Sequence, residues 1–575
     1  MKSSFDNVVR GRLNWVLLFF LTALSLLVGR LFILQIVYHN EYRALALRQH
    51  RLVREIVSNR GIIYAKEKDG TLVPLTLNNT EKNLAASPKH IKEPAAAASL
   101  IAKELGTGIN EEEILKKLSN QESIYTVIAK HVSPEIAEKL ALKLPPGVFF
   151  EEEMRRVYPH GNFLSHAIGF VSKESDQEEG RYGLERFYET SLSGKEGFFE
   201  GAKSASGFWV ALGKRIINPP QNGSSLFLTI DYNIQFKAEE ILNKTKEKWE
   251  AVSGALLVLD PKTGKILAMA ARPSFDANAY SKEKDFSVFL NPLTESMFEL
   301  GSVIKPITMA SALAEGLIEP GSTYEDNGEV KIGGYSVKNF DGKAYHRQTM
   351  TQVIEKSLNT GAVYVARLLG KNRHREYLQK FGFGEKTGVD LPGELAGDIS
   401  NLAAGRDIEF ATASFGQGIA ITPLQLAQAI GSLANEGKLM RPYIVEKVVN
   451  DSGNEIKKEP EIIRQVVSKE SAEKVTKMLV STVRNGFENR AGIKGYFVAG
   501  KTGTAQIPRK DGRGYSDRVI HTFVGYAPAF NPRFLILLQL NEPKGNRFAA
   551  NTLTPAFHDL AEYILNYYEV PPDEK

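Results

Sequence analysis

A long apolar segment near the start of the chain constrains the fold most strongly, because it predicts a membrane-spanning helix separate from the rest. Residues 13–29 read LNWVLLFFLTALSLLVG, and the apolar pattern resumes after Arg30 as LFILQIVY. About 20 apolar residues suffice for a helix to cross a bilayer, so residues 13–37 predict a transmembrane anchor. No small-x-small cleavage site follows the segment, which favours an uncleaved anchor over a signal peptide.

The basic residues beside this segment do not decide its orientation. Three precede it, and four arginines follow it between residues 43 and 54. Basic loops tend to stay in the cytoplasm, but long domains cross the membrane largely regardless of such charges. The body of the protein can therefore lie outside the cell. Arg30 within an apolar run indicates that one side of the anchor faces another protein.

The remaining composition is that of a folded protein and excludes several kinds of site. The 575 residues predict two to four domains, with 43% hydrophobic and 24% charged residues. The net charge of +5 is mild and no dense basic stripe occurs, so nucleic acid is not an expected partner. There are no cysteines, which excludes disulfides, thiolate metal sites and cysteine nucleophiles. The ten histidines form no H-E-x-x-H sequence, so no metal is expected.

Changes in sequence pattern divide the rest of the chain into two predicted domains. Residues 40–217 mix short β-like runs with helical ones, such as EPAAAASLIAKELG, which carries a helix-starting proline and a helix-ending glycine. Residues 218–225 read NPPQNGSS, which is typical of a linker. The predicted parts are therefore a tail at residues 1–12, the anchor, a mixed domain, the linker and a C-terminal domain at residues 226–575.

The C-terminal region predicts an antiparallel sheet interrupted by a long helical insertion. The run GALLVLDPKTGKILAMAA at residues 254–271 is typical of a β-hairpin. Far downstream, YFVAGKTGTAQI, HTFVGYAP and RFLILLQL predict three more strands, and the intervening stretch is mostly helical in pattern. The final run TPAFHDLAEYILNYY predicts a helix that covers one face of the sheet. The fold class is therefore α+β, with a five-stranded antiparallel sheet covered by helices.

Among several Ser-x-x-Lys sequences, the one in FELGSVIKPIT is distinguished by the proline that follows its lysine. Pro306 lacks the N–H group that a helix interior requires, so a helix through Lys305 must begin close to Ser302. Ser302 is then at a helix N-terminus, which favours developing negative charge, with Lys305 one turn away. An amine of lowered pKa can activate a serine, although an ordinary capping serine would show the same local pattern. The other copies, SKEK and SAEK, lie in charged, solvated stretches.

Two further short sequences carry groups that suit the same chemistry. Ser357-Leu358-Asn359 occurs where the helical run TQVIEKS breaks before AVYVARLLG, a position that a helix cap would also explain. Lys-Thr-Gly occurs three times, but only the copy at Lys501 continues a strand-like run and is followed by another hydroxyl. Alternate side chains of a strand share a face, so Thr502 and Thr504 are predicted to point into one cleft, with Gly503 leaving room for a ligand.

In this order and spacing, the three sequences resemble the motif set of penicillin-binding proteins and serine β-lactamases. Other segments resemble the monofunctional (class B) penicillin-binding proteins of the division or elongation type. These segments include NRGIIY, RRVYPHGNFLSHAIGFV, YGLERFYETSLSGKEG, LTIDYNIQ and FGQGIAITPLQLAQA. The resemblance covers residues 13 to about 565. The resemblance implies a transmembrane helix, a mixed pedestal domain of the dimerisation type and a penicillin-binding transpeptidase domain.

The resemblance also implies an acyl-transfer reaction and a role for each catalytic residue. Ser302 would attack the penultimate D-Ala carbonyl of a peptidoglycan stem peptide, forming an acyl-enzyme and releasing the terminal D-Ala. Lys305 would take the serine proton, and Ser357 and Lys501 would relay protons to the leaving amine. Two lysines that share a pocket repel each other, which lowers an amine pKa toward that of a usable base. An amine of a second stem peptide would then resolve the acyl-enzyme into a crosslink.

Substrate binding is implied at four positions by the same resemblance. Asn359 would hold the amide of the acyl group, and Thr502, Gly503 and Thr504 would line the site, with the two threonines binding the substrate carboxylate. The backbone N–H groups of Ser302 and Thr504 would form the oxyanion hole.

The implied partners are stem peptides, β-lactam antibiotics and a membrane-embedded polymerase of glycan strands, and no cofactor is implied. The protein would be a single-pass protein of the inner membrane, with a cytoplasmic N-terminus and an extracytoplasmic catalytic domain.

Alternative interpretations come from two other sequence matches. GYFVAGKT at residues 495–502 matches the phosphate-binding pattern G-x-x-x-x-G-K-T, but YFVA is predicted as strand and GTAQIP is no helix start, whereas a P-loop joins a strand to a helix through a loop. Class A β-lactamases deacylate with a glutamate from a separate Glu-x-x-Leu-Asn sequence, which occurs here only as Glu355 to Asn359, overlapping the Ser-x-Asn element. A β-lactamase or a penicillin-sensing protein of the same fold stays open as an alternative.

Overall fold

The structure is a computed structural model, and it describes residues 21–33, 36, 38, 52–56, 58–106, 110–174, 177–203, 209–486, 489–509 and 514–574. Residues 21–32 are helical. Within the described ranges, no helix combines the length and the apolar character that crossing a membrane requires. Much of the predicted anchor at residues 13–37, and the whole tail at residues 1–12, lie outside the described residues.

The chain separates into two compact units. The first comprises Met1–Asn59 and Gly194–Gly223, and the second comprises Arg60–Ser193 and Ser224–Lys575. The described strands of the first unit form an antiparallel sheet in the order Leu52–Ile56, Gly197–Lys203 and Trp209–Asn218.

The N-terminal part of the second unit contains a three-stranded antiparallel sheet packed against helices. Across the sheet, the strands are Thr126–Val132, Leu77–Ala86 and Val148–Val157. The helices Pro94–Leu105, Glu111–Leu118 and Pro134–Ala141 bury their apolar faces against it. The first of these confirms the helix predicted from EPAAAASLIAKELG, since a proline lies in its first turn and a glycine caps its C-terminus.

Shorter elements complete this part of the second unit. They are the 3₁₀ turn Pro88–His90, the helices Ser165–Ile168, Gly183–Phe187 and Glu189–Leu192, and the antiparallel hairpin of Phe170–Glu174 with Gln177–Arg181.

A mixed five-stranded sheet connects sequence-distant parts of the second unit. Its strands are, in order, Glu455–Lys457, Val445–Val449, Ser225–Asp231, Ile63–Lys66 and Leu72–Pro74. Ser225–Asp231 pairs in parallel with Ile63–Lys66 and antiparallel with Val445–Val449. Strands that lie far apart in the sequence therefore share one hydrogen-bonded sheet.

The central sheet, which positions the candidate site, has five antiparallel strands as predicted. In order they are Ile266–Arg272, Ser253–Leu259, Phe534–Asn541, Tyr515–Ala527 and Ala499–Pro508. Alternate residues point to opposite faces, so Leu256 and Val258 join one apolar cluster, whereas Leu257 and Leu259 join another. Helices Tyr232–Lys248 and Thr554–Tyr567, the latter predicted from the final apolar run, contribute to the first cluster.

The insertion between Arg272 and Ala499 supplies the helices on the other face. Its α-helices are Lys305–Ala314, Met350–Glu355, Asn359–Leu369, Lys371–Lys380, Asp407–Ala413, Pro423–Ala434 and Lys469–Ser481. Shorter helical elements are Ala277–Lys282, Phe286–Phe289, Gly301–Ile304, Ser400–Ala404 and the π-helical Thr482–Gly486, and Ala549–Thr552 follows the sheet.

The insertion also contains short antiparallel strand pairs that the helical prediction overlooked. They are Phe298–Glu299 with Ala420–Ile421, Thr323–Asp326 with His346–Thr349, Glu329–Ile332 with Tyr335–Lys338, and Lys438–Met440 with Ile462–Gln465. In the third pair, Gly333 and Gly334 both adopt positive φ between the strands. A glycine pair with positive φ is the turn that a tight hairpin requires, so the signal was present in the sequence.

Candidate active site

The Ser302 turn and the helix that follows it have the local structure that Pro306 predicted. A 3₁₀ turn at Gly301–Ile304 leads into the helix Lys305–Ala314, with Pro306 in its first turn. Ser302 is half-buried, whereas the side chain of Lys305 is 0% exposed. The helix therefore begins just after Ser302 and places an amine in the interior beside it.

Three glycines allow the chain to pack closely around the Ser302 turn. Gly301 has φ +58° and donates its N–H to the carbonyl oxygen of Gly416 at 2.9 Å. A Cβ atom on Gly503 would lie 2.9 Å from the carbonyl oxygen of Leu300 and from Cγ1 of Val303. The space in front of Gly503, which was expected to admit a ligand, is therefore filled by the Ser302 turn, and Gly503 allows the edge strand to lie against it.

The amine of Lys305 binds the Ser-x-Asn element directly. Its Nζ donates hydrogen bonds to the carbonyl oxygen of Ser357 at 2.6 Å, to Oδ1 of Asn359 at 2.9 Å and to Oγ of Ser357 at 3.2 Å. Ser357 lies between the helices Met350–Glu355 and Asn359–Leu369 at a positive φ of 56°. The break predicted between the two helical runs therefore falls at residues 356–358, and Asn359 already belongs to the second helix.

The amine of Lys501 reaches the same serine from the opposite wall. Lys501 lies on the edge strand Ala499–Pro508 of the central sheet and is 1% exposed. Its Nζ donates to Oγ of Ser357 at 3.1 Å and to the carbonyl oxygen of Thr502 at 3.1 Å. The three separate sequence motifs therefore meet in one site, with two lysine amines on one hydroxyl.

The environment of both lysines favours their neutral forms. Burial lowers the pKa of Lys501 from 10.5 to about 7. Burial, and to a lesser degree repulsion from Lys501, lowers the pKa of Lys305 well below 10.5. Desolvation and a nearby like charge both disfavour an ammonium ion, so the site holds an amine that can accept a proton near neutral pH.

The remaining predicted residues of the edge strand lie beside the Ser302 turn. Along the edge strand, Lys501 and Gly503 are buried, whereas Thr502 is half-buried and Thr504 exposed, as the predicted alternation requires. Oγ1 of Thr504 accepts a hydrogen bond from the backbone N–H of Ala549 at 3.3 Å. A Cβ atom on Gly301 would lie 3.1 Å from the carbonyl oxygen of Thr504, so the backbones of Ser302 and Thr504 are neighbours.

The side-chain amide of Asn359 has a defined orientation. Its Oδ1 accepts from Lys305, and its Nδ2 donates to the carbonyl oxygen of Lys338 at 3.0 Å. One N–H of this amide therefore remains for a ligand carbonyl. Lys338 was missed in the sequence, because its contribution is a main-chain carbonyl that any residue type would supply.

The decoy copies of the motifs lie in other surroundings. Lys474 forms surface ion pairs with Glu470 and Glu319. Lys262 lies in the turn of the hairpin, and Lys386 is exposed in a loop. Their side chains are therefore solvated, in contrast to Lys305 and Lys501.

The P-loop match is contradicted by the local structure. The strand begins at Ala499. Tyr496 to Val498 precede the strand, so the prediction that YFVA is a strand was wrong for these three residues. The strand then continues to Pro508, where a P-loop would start a helix. Within the described ranges, no cluster of three or more His, Asp or Glu side chains could hold a metal ion.

The glutamate required by the β-lactamase alternative is engaged with another helix. The carboxylate of Glu355 accepts hydrogen bonds from the hydroxyl of Ser481 and from Nδ2 of Asn485.

Comparison with known proteins identifies the family of the chain. The model of the penicillin binding protein transpeptidase domain matches residues 254–562, and that of the penicillin-binding protein dimerisation domain matches residues 55–228. The stage V sporulation protein D of Bacillus subtilis is 31% identical over 98% of this chain and 87% of its own length. The peptidoglycan D,D-transpeptidase FtsI of Escherichia coli is 29% identical over 96% of this chain and 91% of its own.

Solved structures show the same architecture. Penicillin binding protein 2X from Streptococcus thermophilus superposes with a TM-score of 0.77 at 22% identity, over 89% of this chain and 80% of that one. Penicillin binding protein 3 from Mycobacterium tuberculosis, complexed with aztreonam, superposes with a TM-score of 0.70 at 26% identity, over 90% of this chain and 98% of that one. With both domain models matched in order along the chain, this protein belongs to the class B penicillin-binding proteins, a family of peptidoglycan D,D-transpeptidases.

Proposed function

We propose that Ser302 is the nucleophile with which this D,D-transpeptidase forms its acyl-enzyme on a peptidoglycan stem peptide. The observation that carries the assignment is the pair of buried amines, Lys305 and Lys501, that share the hydroxyl of Ser357 beside the Ser302 turn. A serine hydroxyl is a weak nucleophile until a neighbouring base removes its proton. Lys305, which begins the helix directly after the Ser302 turn and has a lowered pKa, is that base.

The acylation step conserves atoms and charge. Oγ of Ser302 bonds to the carbonyl carbon of the penultimate D-Ala while its proton passes to Nζ of Lys305. The carbon–nitrogen bond to the terminal D-Ala then breaks, and the departing amine receives a proton through Oγ of Ser357, which both lysine amines contact. Free D-Ala leaves the cleft.

The second step forms the crosslink. An amine of another stem peptide attacks the acyl carbonyl and loses a proton to the same relay, and the ester bond to Ser302 breaks. The serine oxygen recovers its proton and the site returns to its starting state. The acceptor is an amine in place of water, which separates this reaction from that of a β-lactamase.

Substrate recognition is assigned to the rim of the cleft. The free N–H of Asn359 binds the amide carbonyl of the acyl group, and the hydroxyls of Thr502 and Thr504 bind the terminal carboxylate. The backbone N–H groups of Ser302 and Thr504 stabilise the oxyanion. Removing one such donor typically slows an acyl-transfer reaction by about 10²–10³. The close approach of Gly301 to Thr504 supports this pairing.

The direct test is labelling with a fluorescent penicillin. We expect one label per chain at Ser302, and we expect Ser302→Ala to abolish it. Ser281→Ala removes the serine of an exposed Ser-x-x-Lys decoy and serves as the matched control, with full labelling. Undiminished labelling of Ser302→Ala would remove the assignment. Slow release of the label, with crosslinked product from stem peptides, separates a transpeptidase from a β-lactamase.

We also propose a membrane anchor and a membrane-embedded partner. The apolar sequence at residues 13–37 supports a single membrane span with the catalytic domain on the extracytoplasmic side. Arg30 within it supports a protein-facing side, for which the partner is a multi-span polymerase of glycan strands. Replacing the span by an unrelated one is expected to abolish co-purification of that polymerase, and unchanged co-purification would contradict the assignment.

A further inference from the structure

We propose that Asp326 is a positioning residue for the acylation step, and that its buried carboxylate holds Asn359 and the Ser357 loop where Lys305 can bind them. The inference rests on the proposed function of Ser302 and adds a residue outside the three motifs. Asp326 ends the short strand Thr323–Asp326 of the insertion and contacts neither lysine in the hydrogen bonds that the structure describes.

Asp326 is a fully buried carboxylate at the junction of three chain segments. It is 0% exposed. Oδ1 accepts hydrogen bonds from the hydroxyl of Thr360 at 2.7 Å and the N–H of Gly328 at 3.1 Å, and Oδ2 accepts from Nδ2 of Asn339 at 2.8 Å and the N–H of Tyr345 at 2.9 Å. No ion pair with Asp326 occurs among the described residues, so these four donors balance its charge.

The first connection to the site runs through Thr360. This residue follows Asn359 in the first turn of its helix, and its backbone N–H donates to Oδ1 of Asn339 at 3.3 Å. The hydroxyl of Thr360 has a single proton, and it donates this proton to Asp326 because that bond is the shortest one it forms. The oxygen of Thr360 then accepts a hydrogen bond from the hydroxyl of Tyr324 at 3.1 Å. The helix start that carries Asn359 is therefore tied to Asp326.

The second connection runs through Asn339. Nδ2 of Asn339 donates to Asp326 and also to the carbonyl oxygen of Lys343 at 3.1 Å. The preceding residue, Lys338, supplies the carbonyl that receives Nδ2 of Asn359. Asp326 therefore holds Asn339 and, next to it, the carbonyl of Lys338. This carbonyl accepts from Nδ2 of Asn359, whose Oδ1 accepts from Lys305.

The strained backbone of Ser357 explains why such support is needed. A non-glycine residue at positive φ costs on the order of 1–3 kcal/mol and persists only where its surroundings fix it. Ser357 has φ 56° and supplies two of the acceptors of Lys305. Without the Asp326 contacts we expect the loop to relax, the Lys305 amine to gain water and its pKa to rise.

The experiment measures the rate constant for acylation by a fluorescent penicillin as a function of pH in the full-length protein. Thr360→Val removes the donor of the shortest bond, and Asp326→Asn removes the charge and replaces one acceptor oxygen by an NH2 group that cannot accept from the surrounding donors. Both changes alter the side-chain volume little. Thr360→Ser keeps the hydroxyl and is the conservative rescue. Asp341→Asn is the matched control, since Asp341 is an exposed carboxylate that accepts from the hydroxyl of Tyr345.

We expect Asp326→Asn and Thr360→Val to slow acylation by about tenfold or more, because small displacements of catalytic groups cost this much. The rise of the rate with pH should also move to higher pH, a change that a loss of folded protein alone would not produce. Thr360→Ser and Asp341→Asn should keep the wild-type rate and profile. A wild-type profile in folded Thr360→Val overturns the positioning role, whereas absence of Ser302-dependent labelling in the wild type overturns the proposed function itself.

Discussion

Lys305 and Lys501 donate hydrogen bonds to the same atom, Oγ of Ser357, at 3.2 and 3.1 Å. The two amines come from a helix of the insertion and from the edge strand of the central sheet, and both are buried. Two ammonium ions cannot both stay charged so close together without water. At least one lysine is therefore neutral near pH 7. A neutral Lys305 has two N–H groups, which can serve two of its three acceptors at a time, and a lone pair for the serine proton.

Acylation should depend on pH through this pair of lysines. The rate constant should rise as Lys305 loses its proton, at a pH well below the ordinary 10.5 because burial and Lys501 lower its pKa. It should fall again as Lys501, with a pKa of about 7, loses the proton that the leaving group needs. Stopped-flow acylation from pH 5 to pH 10 measures the profile, whose two apparent pKa values belong to the coupled pair. A flat profile across this range would contradict the mechanism.

Removing the buried amine of Lys501 should stabilise the fold while it reduces activity. With a folded-state pKa of about 7 against 10.5 for a free lysine, the unfolded chain binds the extra proton between these values, so stability rises with pH across this window. Lys501→Met removes the cost of burying the amine, and at pH 7 we expect a gain of about 1–3 kcal/mol in the free energy of unfolding.

Urea unfolding of the Lys501→Met protein at pH 7 and pH 10 tests this expectation, with penicillin labelling as the readout of activity. The gain should shrink at pH 10, and labelling should slow by about 10² or more. Lys386→Met changes the exposed lysine of a decoy Lys-Thr-Gly and should leave both properties unchanged. A Lys501→Met protein that is less stable at both pH values would show that the amine contributes more through its hydrogen bonds than burial costs.

Gly503 should be intolerant of a methyl group because of the Ser302 turn. The added Cβ of Gly503→Ala would lie 2.9 Å from the carbonyl oxygen of Leu300, which is closer than van der Waals contact permits. We expect about 1–3 kcal/mol of destabilisation and about a hundredfold slower acylation, since the strand shifts relative to Ser302. Gly321→Ala, where an added Cβ meets nothing within 4 Å, is the control. Equal acylation rates in the two variants would show that the contact does not position the nucleophile.

The local parts of the site could be predicted because their causes are local. Pro306 restricts the helix around it by sterics alone, so the start of the helix near Ser302 follows from the sequence. The central sheet was predictable for a similar reason, since three of its strands, Ser253–Leu259, Ile266–Arg272 and Phe534–Asn541, are nearly continuous apolar runs.

The contacts that complete the site could not be predicted, because they depend on packing between distant segments. The backbone carbonyl of Ser357 accepts from Lys305, and that of Lys338 accepts from Asn359. Every residue type has a backbone carbonyl, so the sequence does not indicate these contacts. Asp326 was missed for a related reason, since a carboxylate at a strand end usually lies in solvent. The hairpin at Gly333 was visible as a glycine pair but was overlooked within a region of helical pattern.

A buried ionic network outside the site should determine much of the stability of the N-terminal part of the second unit. The carboxylate of Glu185 is 0% exposed and accepts from Nε of Arg60 at 2.7 Å and from Nε of Arg156 at 2.8 Å. Arg60 also pairs with Glu189 at 2.6 Å. Burial alone would raise the pKa of Glu185, but attraction from Arg156 and Arg60 outweighs it and lowers that pKa below 4.5.

Glu185→Gln should therefore destabilise the protein by about 3–5 kcal/mol at pH 7, because buried Arg156 loses the countercharge that the structure describes and Arg60 keeps only Glu189. The carboxylate stabilises the fold above its ordinary pKa of 4.5, and this contribution is lost as the pH falls through the lowered value. The difference between wild type and variant in urea unfolding should accordingly shrink below pH 4. Glu179→Gln, which breaks a partly exposed pair with Arg181, is the control and should cost less than about 1 kcal/mol. Equal losses in the two variants would mean that the buried pairs contribute no more than a surface pair does.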